Sequence, residues 1–319
     1  MVIHYILTYL KSFRNMIKYL TYLLILILSS CQTKSEKREV TGNENTLPSF
    51  IKFGYSTDSR LNEISGIVES IKYSKNFWVH NDSGDQPRIF RVNQDLEIIQ
   101  EVQFEGISHI DWEDIAYGNY NDQKTLFIGD IGDNKGLRDE IKIYFIKEPE
   151  ENVFKIESIR TLNLSYPDGP RDAEALLFDE MYNELIIITK RDKKSRVYTY
   201  NLNSKDVGSL KFEGELNLEE FDEIDSISKY KITSADAISG QGIIIKNYLE
   251  VYLYTLTDSD RFTNVLINRS PKKIKYLPEL QGEAISLEVN YKGYWVTSEC
   301  ADDGATHQAQ PLYFYPFYN

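Results

Sequence analysis

The sequence predicts an all-β fold, and three observations predict it. Aromatic residues are abundant, with 23 Tyr and 15 Phe among 319 residues, and such side chains suit a pleated, half-buried surface. One short motif recurs five times at nearly constant spacing. No long segment carries the 3.6-residue apolar period of an amphipathic helix, although 218–227 reads as a short one. A hydrophobic content of 41 % is enough for a proper core.

The recurring motif is an aliphatic residue, an aromatic, any residue, then a β-former. It occurs as Ile89-Phe90-Arg91-Val92, Ile143-Tyr144-Phe145-Ile146, Val197-Tyr198-Thr199-Tyr200, Val251-Tyr252-Leu253-Tyr254 and Leu312-Tyr313-Phe314-Tyr315. The aromatic positions 90, 144, 198, 252 and 313 are separated by 54, 54, 54 and 61 residues. Upstream of each motif an acidic or polar opening leads into a short apolar segment. These openings begin at Glu63, Asp111, Asp172, Ser234 and Gln281. Between the two lies a hydrophobic run with a polar end: Phe77 to Asp82, Leu126 to Asp130, Ile186 to Arg191, Ile243 to Asn247 and Tyr294 to Glu299.

Each unit therefore reads as strand, turn, strand, loop, strand, and a more polar segment such as 97–104 or 159–164 supplies a fourth. Repeated units of about 40–50 residues with four short strands are propeller blades. The 273 residues from Leu47 to Asn319, divided by five, give about 55, which is the observed period. The prediction is a single five-bladed β-propeller of four-stranded blades; a six-bladed ring with one degenerate blade is the alternative. The segment Phe50–Tyr55 precedes the first inner strand and has no blade of its own. It is expected to supply the outer strand of the last blade and close the ring.

The N-terminus reads as an address. Lys11, Arg14 and Lys18 precede an apolar run from Tyr19 to Leu28, and Leu28-Ser29-Ser30-Cys31 follows. That order is the layout of an export signal, and ten apolar residues fall short of the roughly 20 that a spanning helix needs. The last four residues resemble a bacterial lipoprotein box, which implies lipidation of Cys31. Met16 is a second start that gives a more ordinary signal length. The expected organisation is a signal over 1–31, a polar tether over 32–47 and a propeller over 48–319. Gln32 in place of Asp implies, by the same resemblance, an outer-membrane lipoprotein on the periplasmic or the cell-surface side. If Cys31 carries lipid, Cys300 is left alone and no internal disulfide forms.

Charge excludes one class of partner. The chain carries −13, and removing the three basic residues and no acids of the signal takes it to −16. No basic stripe that would track a phosphate backbone is present, so nucleic acid is not an expected partner.

The propeller reading also places the chemistry. The start of one antiparallel strand and the end of the next lie at the same end of the hairpin. The acidic openings and the polar strand ends should therefore meet around one mouth of the central channel. Candidates there are Glu113, Glu174 and Glu283 as metal ligands or general bases, Asp130 and Asp236 as further ligands, and His80 as acid or base. Asp82, Lys190, Arg191, Lys246 and Glu299 are candidates for holding a polar ligand. Crowded carboxylates must be neutralised by cations, protons or a metal, and an oxygen-only set suits calcium. A structural network of ion pairs, a metal-binding mouth and a metal-assisted catalytic site all remain open on sequence alone. A polar loop around His307 is a candidate lid.

The runs Ser65 to Ile67, Asn81 to Asp85, Asp111 to Ala116, Gly129 to Asn134 and Gly282 to Ser286 resemble a family of secreted bacterial β-propeller proteins without assigned activity. More distantly, the acidic openings are similar to those of esterase-like phytase propellers and of calcium-dependent lactonase or phosphotriesterase propellers. The resemblance implies calcium at the channel mouth, organising a phosphate or ester for attack by water. Ser65 in the first opening and Asp236 in the fourth depart from that pattern. Two functions follow as expectations: an envelope module binding a cation together with a polar ligand or protein partner, or a calcium-dependent hydrolase of phosphate or carboxylic esters.

Overall fold

The computed structural model describes residues 40–41, 50–205, 208–218, 230–279, 281–302, 307–308 and 311–317. The predicted signal, Cys31, most of the tether and the 218–227 helix lie outside the described residues, apart from Leu218. So does most of the loop before His307.

Among the described residues five sheets of four or five strands each form one blade, and Ala301–Asp302 pairs with His307–Gln308 in a separate two-stranded sheet. From the channel outwards, blade 1 is built from Ile64–Glu69, Asn76–Asn81, Arg88–Asn93 and Ile98–Phe104. Blade 2 uses Trp112–Tyr120, Gln123–Asp130, Ile141–Lys147 and Arg160–Leu164. Blade 3 uses Ala173–Asp179, Glu184–Thr189, Arg196–Asn201 and Lys211–Glu215, and blade 4 uses Ile232–Ile238, Gly242–Asn247, Val251–Thr255 and Lys272–Ile274. The last blade has Ala284–Leu287, Gly293–Thr297 and Pro311–Pro316, and its outer strand is Phe50–Tyr55 from the other end of the chain. Ile51 pairs with Phe314 and Lys52 with Tyr313. Ring closure by the N-terminal strand is thus as expected, and Val40–Thr41 adds one further short pairing outside it.

On the face away from the acids, the inner hairpin of blade 2 turns tightly. Asn121 and Asp122 both have positive φ, 50° and 58°, which is what a two-residue turn between Tyr120 and Gln123 requires. Elements that were not legible in the repeat include the parallel strand Lys155–Ile156 along blade 1 and the helix Phe262–Asn268.

Packing explains why each strand reads as a continuous apolar run. Both faces of every blade are covered by a neighbouring blade, so successive residues are buried on opposite sides. In blade 3, Ile186 and Ile188 pack against blade 4 with Ile243 and Ile245, while Leu185 and Ile187 pack against blade 2 with Phe127 and Ile143. Three more such clusters fill the interfaces between blades 5 and 1, 1 and 2, and 4 and 5. Five interfaces for five blades make a closed ring.

The innermost strands have an edge facing the channel, where amides lack ladder partners. Carboxylates cap them. Asp114, fully buried, accepts the Leu176 N–H at 2.9 Å, the Ala235 N–H at 3.2 Å and the Ser234 hydroxyl at 3.0 Å, tying blades 3 and 4 to blade 2. Asp236 does the same for blade 5 through the Leu287 N–H at 2.8 Å and the Ser286 hydroxyl at 3.0 Å. Among the described residues no helix is long and apolar enough to cross a membrane.

Candidate metal centre

A β-bulge at the start of the inner strands builds the mouth. In blades 1 to 4 the register slips once, leaving Ser65, Glu113, Glu174 and Thr233 as the extra residues. In blade 5 the Glu299 N–H reaches Gln281 O while Ala284 pairs with Thr297, which puts Glu283 in the same position. A bulge re-aims a side chain that would otherwise alternate between sheet faces. Opposite these residues, just past the second strands, stand Asp82, Ile131, Lys190, Tyr248 and Glu299. The Asp82 N–H bonds Glu63 O at 2.8 Å, Ile131 bonds Asp111 O at 3.1 Å, and Lys190 bonds Asp172 O at 3.0 Å. Two rings of five residues therefore line one mouth.

Seven carboxylates meet there in three overlapping groups: Asp82 with Glu283 and Glu299; Asp82 with Asp111 and Glu113; and Glu113 with Asp172 and Glu174. In each group one oxygen per residue lies within 4.8 Å of the others, close enough for a single ion with ligand distances of about 2.3–2.6 Å. The cations are unevenly shared. Lys190 Nζ bonds Glu174 Oε1 and stands 3.8 Å from Glu283 Oε1. It also donates to the Tyr248 hydroxyl at 2.8 Å, and that hydroxyl donates to Glu283 at 2.6 Å. Arg191 pairs with Asp172 at 2.5 Å. The group Asp82, Asp111 and Glu113 has no ion pair among the described residues.

Glu113 is the decisive residue. It is 3 % exposed, no hydrogen bond or ion pair reaches it among the described residues, and it belongs to two of the three groups. The backbone is shaped around it. A Cβ added at Gly132 would collide with Glu113 Oε1 and lie 2.6 Å from Asp111 Oδ2, so the loop from Gly129 to Asn134 passes the carboxylates at a distance only glycine permits. Arg138 holds that loop by donating to Gly132 O and to Asp130 O at 3.1 Å.

The protonation equilibria reflect the crowding. Burial, then Glu174 and Asp82, push Glu113 well above the ordinary carboxylate range. Burial raises Asp82 to about 7, with Glu283 and Asp111 adding to it. Glu299 rises to about 8 through burial and then Glu283, and Asp111 rises through burial and then Asp172. Burial also raises Glu174, against the pull of Lys190. An oxygen-only set of buried and half-buried acids short of cations is the donor chemistry of a hard divalent ion such as calcium.

Of the residues expected at the mouth, Asp82, Glu113, Glu174, Lys190, Arg191, Glu283 and Glu299 are brought together. Four others are not. His80 is fully buried inside blade 1, edge-on to Trp112, with Nδ1 3.0 Å from Asn81 O; burial lowers it to about 4, so the ring is neutral. Asp130 is consumed by Arg138 at 2.7 Å, by the Asp111 N–H and by the Tyr144 hydroxyl. Lys246 is fully buried between Tyr276 and Glu279, 3.7 Å from the latter. Asp236 caps blade 5 deeper in the channel. The bulge in blade 4 falls on Thr233, so Thr233 and not Asp236 is the counterpart of Glu174.

Asp111, Asp172 and Tyr248 were missed as site residues. The signal for the two acids was present, since Asp111-Trp112-Glu113 and Asp172-Ala173-Glu174 repeat the same Asp-x-Glu spacing. Nothing local marks Tyr248.

No family model matches the chain, and no curated protein matches it. Solved structures do resemble it. A luciferin-regenerating enzyme is 9 % identical with a TM-score of 0.46, over 85 % of this chain and 96 % of that one. The PQQ-bound aldose sugar dehydrogenase of Streptomyces coelicolor is 9 % identical with a TM-score of 0.40, over 87 % and 99 %. The RRP9 WD40 repeats are 10 % identical with a TM-score of 0.41, over 87 % and 96 %. The strand pairing by itself makes this protein an all-β, five-bladed β-propeller.

Proposed function

We propose that this protein is a lipid-anchored envelope module that holds a divalent cation, calcium by its donor set, at the mouth of its propeller and presents it to a polar ligand or protein partner. The observation that carries the reading is Glu113, a buried carboxylate that no hydrogen bond or ion pair reaches among the described residues, grouped with Asp111 and Asp82 where Gly132 leaves room for it. Asp82, Asp111 and Glu113 would hold the ion. Remaining coordination positions would face solvent, where a carboxylate or phosphate of the ligand can bind. Lys190 and Tyr248 shape the far side of the mouth. The lipid anchor on Cys31 and the outer-membrane location belong to the same proposal, supported by the N-terminal sequence.

The test is calorimetric titration of calcium into chelator-treated protein, with Asp111→Asn beside the wild type. Saturable binding lost in the variant supports the reading. Absence of binding, together with a melting temperature indifferent to calcium, overturns it. Assays of phosphate and short carboxylic esters on the calcium-loaded protein decide whether the mouth also turns substrate over.

A further inference from the structure

The two rings at the mouth differ from blade to blade in charge, and the difference is informative. At one ring position the pseudo-fivefold arrangement places Asp82, Ile131, Lys190, Tyr248 and Glu299. Lys190 is thus the single cation in a ring that elsewhere offers acids, an apolar residue or a hydroxyl. Its ammonium does what an ion would do there. It binds Glu174 Oε1, faces Glu283 Oε1 at 3.8 Å and donates to the Tyr248 hydroxyl, with its side chain only 6 % exposed.

The remaining oxygen of Glu174, Oε2, is buried without a hydrogen-bond partner. It belongs to a residue that forms a metal-competent group with Glu113 and Asp172. The far side of the mouth therefore has a spare buried donor and two carboxylates, kept from a metal by one ammonium. On the near side no cation pairs with Asp82, Asp111 or Glu113 among the described residues.

We propose that Lys190 is a resident counter-ion standing in for a second divalent cation, so that it limits the mouth to one ion and fixes that ion beside Asp82, Asp111 and Glu113. This rests on the metal-binding reading above. Removing the ammonium while keeping the side-chain bulk, as in Lys190→Gln, leaves Glu174 and Glu283 as an uncompensated buried pair. A metal or a proton must then neutralise them, and the metal titration tells the two apart. Lys190→Arg keeps the charge, and Glu174→Gln combined with Lys190→Gln removes the pair altogether.

The experiment is calcium titration, with thermal melts in calcium and in chelator, on wild type and these three variants. The expected stoichiometry is one calcium per chain for the wild type, for Lys190→Arg and for the double variant, and two for Lys190→Gln. Lys190→Gln should also show a larger calcium-dependent rise in melting temperature than the wild type, and recovery of its fold only when calcium is present would equally support the proposal. One calcium in Lys190→Gln with an unchanged thermal response overturns it. So does a Lys190→Gln protein that stays unfolded in calcium, because an ion would then be unable to replace the ammonium. A wild type that binds no calcium instead overturns the metal-binding reading itself.

Discussion

Replacing Glu113 by Gln tests the mouth most directly, because the change keeps shape and removes only charge. Glu113 is 3 % exposed, and no hydrogen bond or ion pair reaches it among the described residues. Burial disfavours its charged form, and desolvating such a group without a partner costs about 1–3 kcal/mol. Glutamine carries no charge, and its amide can donate to the carboxylates of the same groups, Asp111, Asp82 and Glu174. The variant should therefore be more stable than the wild type in chelator, by about 1–3 kcal/mol. At about 2–4 °C per kcal/mol for a large domain, the melting temperature should rise by roughly 2–12 °C. The sign depends on pH. The folded-state pKa of Glu113 is raised, so at low pH the wild type is protonated in both states and the advantage of Gln vanishes. As pH rises past the unfolded value, the unfolded chain ionises first and the wild type loses stability until the folded-state pKa is passed. Melting curves in chelator across about pH 5 to pH 8 should thus diverge, with the variant on top, while in calcium the order reverses. A variant less stable than the wild type in chelator at the upper end, or one retaining the full calcium response, refutes the reasoning.

Further outcomes follow from the same geometry. Metal must displace protons from Asp82, raised to about 7, and Glu299, raised to about 8; ionisation of Asp82 alone makes calcium affinity climb about tenfold between about pH 6 and pH 8, with proton release measurable by calorimetry in buffers of different ionisation heat. Gly132→Ala pushes a methyl into Glu113 Oε1 and should weaken calcium binding by at least about tenfold, or about 1.4 kcal/mol, while the metal-free fold stays intact by circular dichroism. Asp114→Ala strands three buried donors on blades 3 and 4, and at about 1–3 kcal/mol each urea melts should show a loss of at least about 3 kcal/mol with or without calcium. Deleting the chain through Tyr55 removes the outer strand of blade 5 and exposes the edge of Pro311–Pro316. The truncated protein should then melt earlier and associate, as read by light scattering.

Blade number, ring closure and the placing of acids at one mouth were all legible along the chain. They follow from burial that repeats: a strand covered on both faces must be apolar throughout, as Ile186 to Ile188 and Ile243 to Ile245 are, and the polar residues at its ends mark where the covering stops. The Asp-x-Glu spacing at two of those ends marks Asp111 and Asp172 as well. The register of the bulges was decided only by the tertiary structure. Side-chain direction in a strand alternates residue by residue, so one inserted residue reverses which side chains face the mouth. The register of blade 4 put Thr233 where the pattern suggested Asp236, and Tyr248 instead of Lys246 at the position that Lys190 holds in blade 3. The rest of the site depends on partners far apart in the chain, Glu113 beside Gly132 and Lys190 between Glu174 and Glu283. Whether a carboxylate is neutralised or left bare is a property of those neighbours, which no local stretch of residues contains.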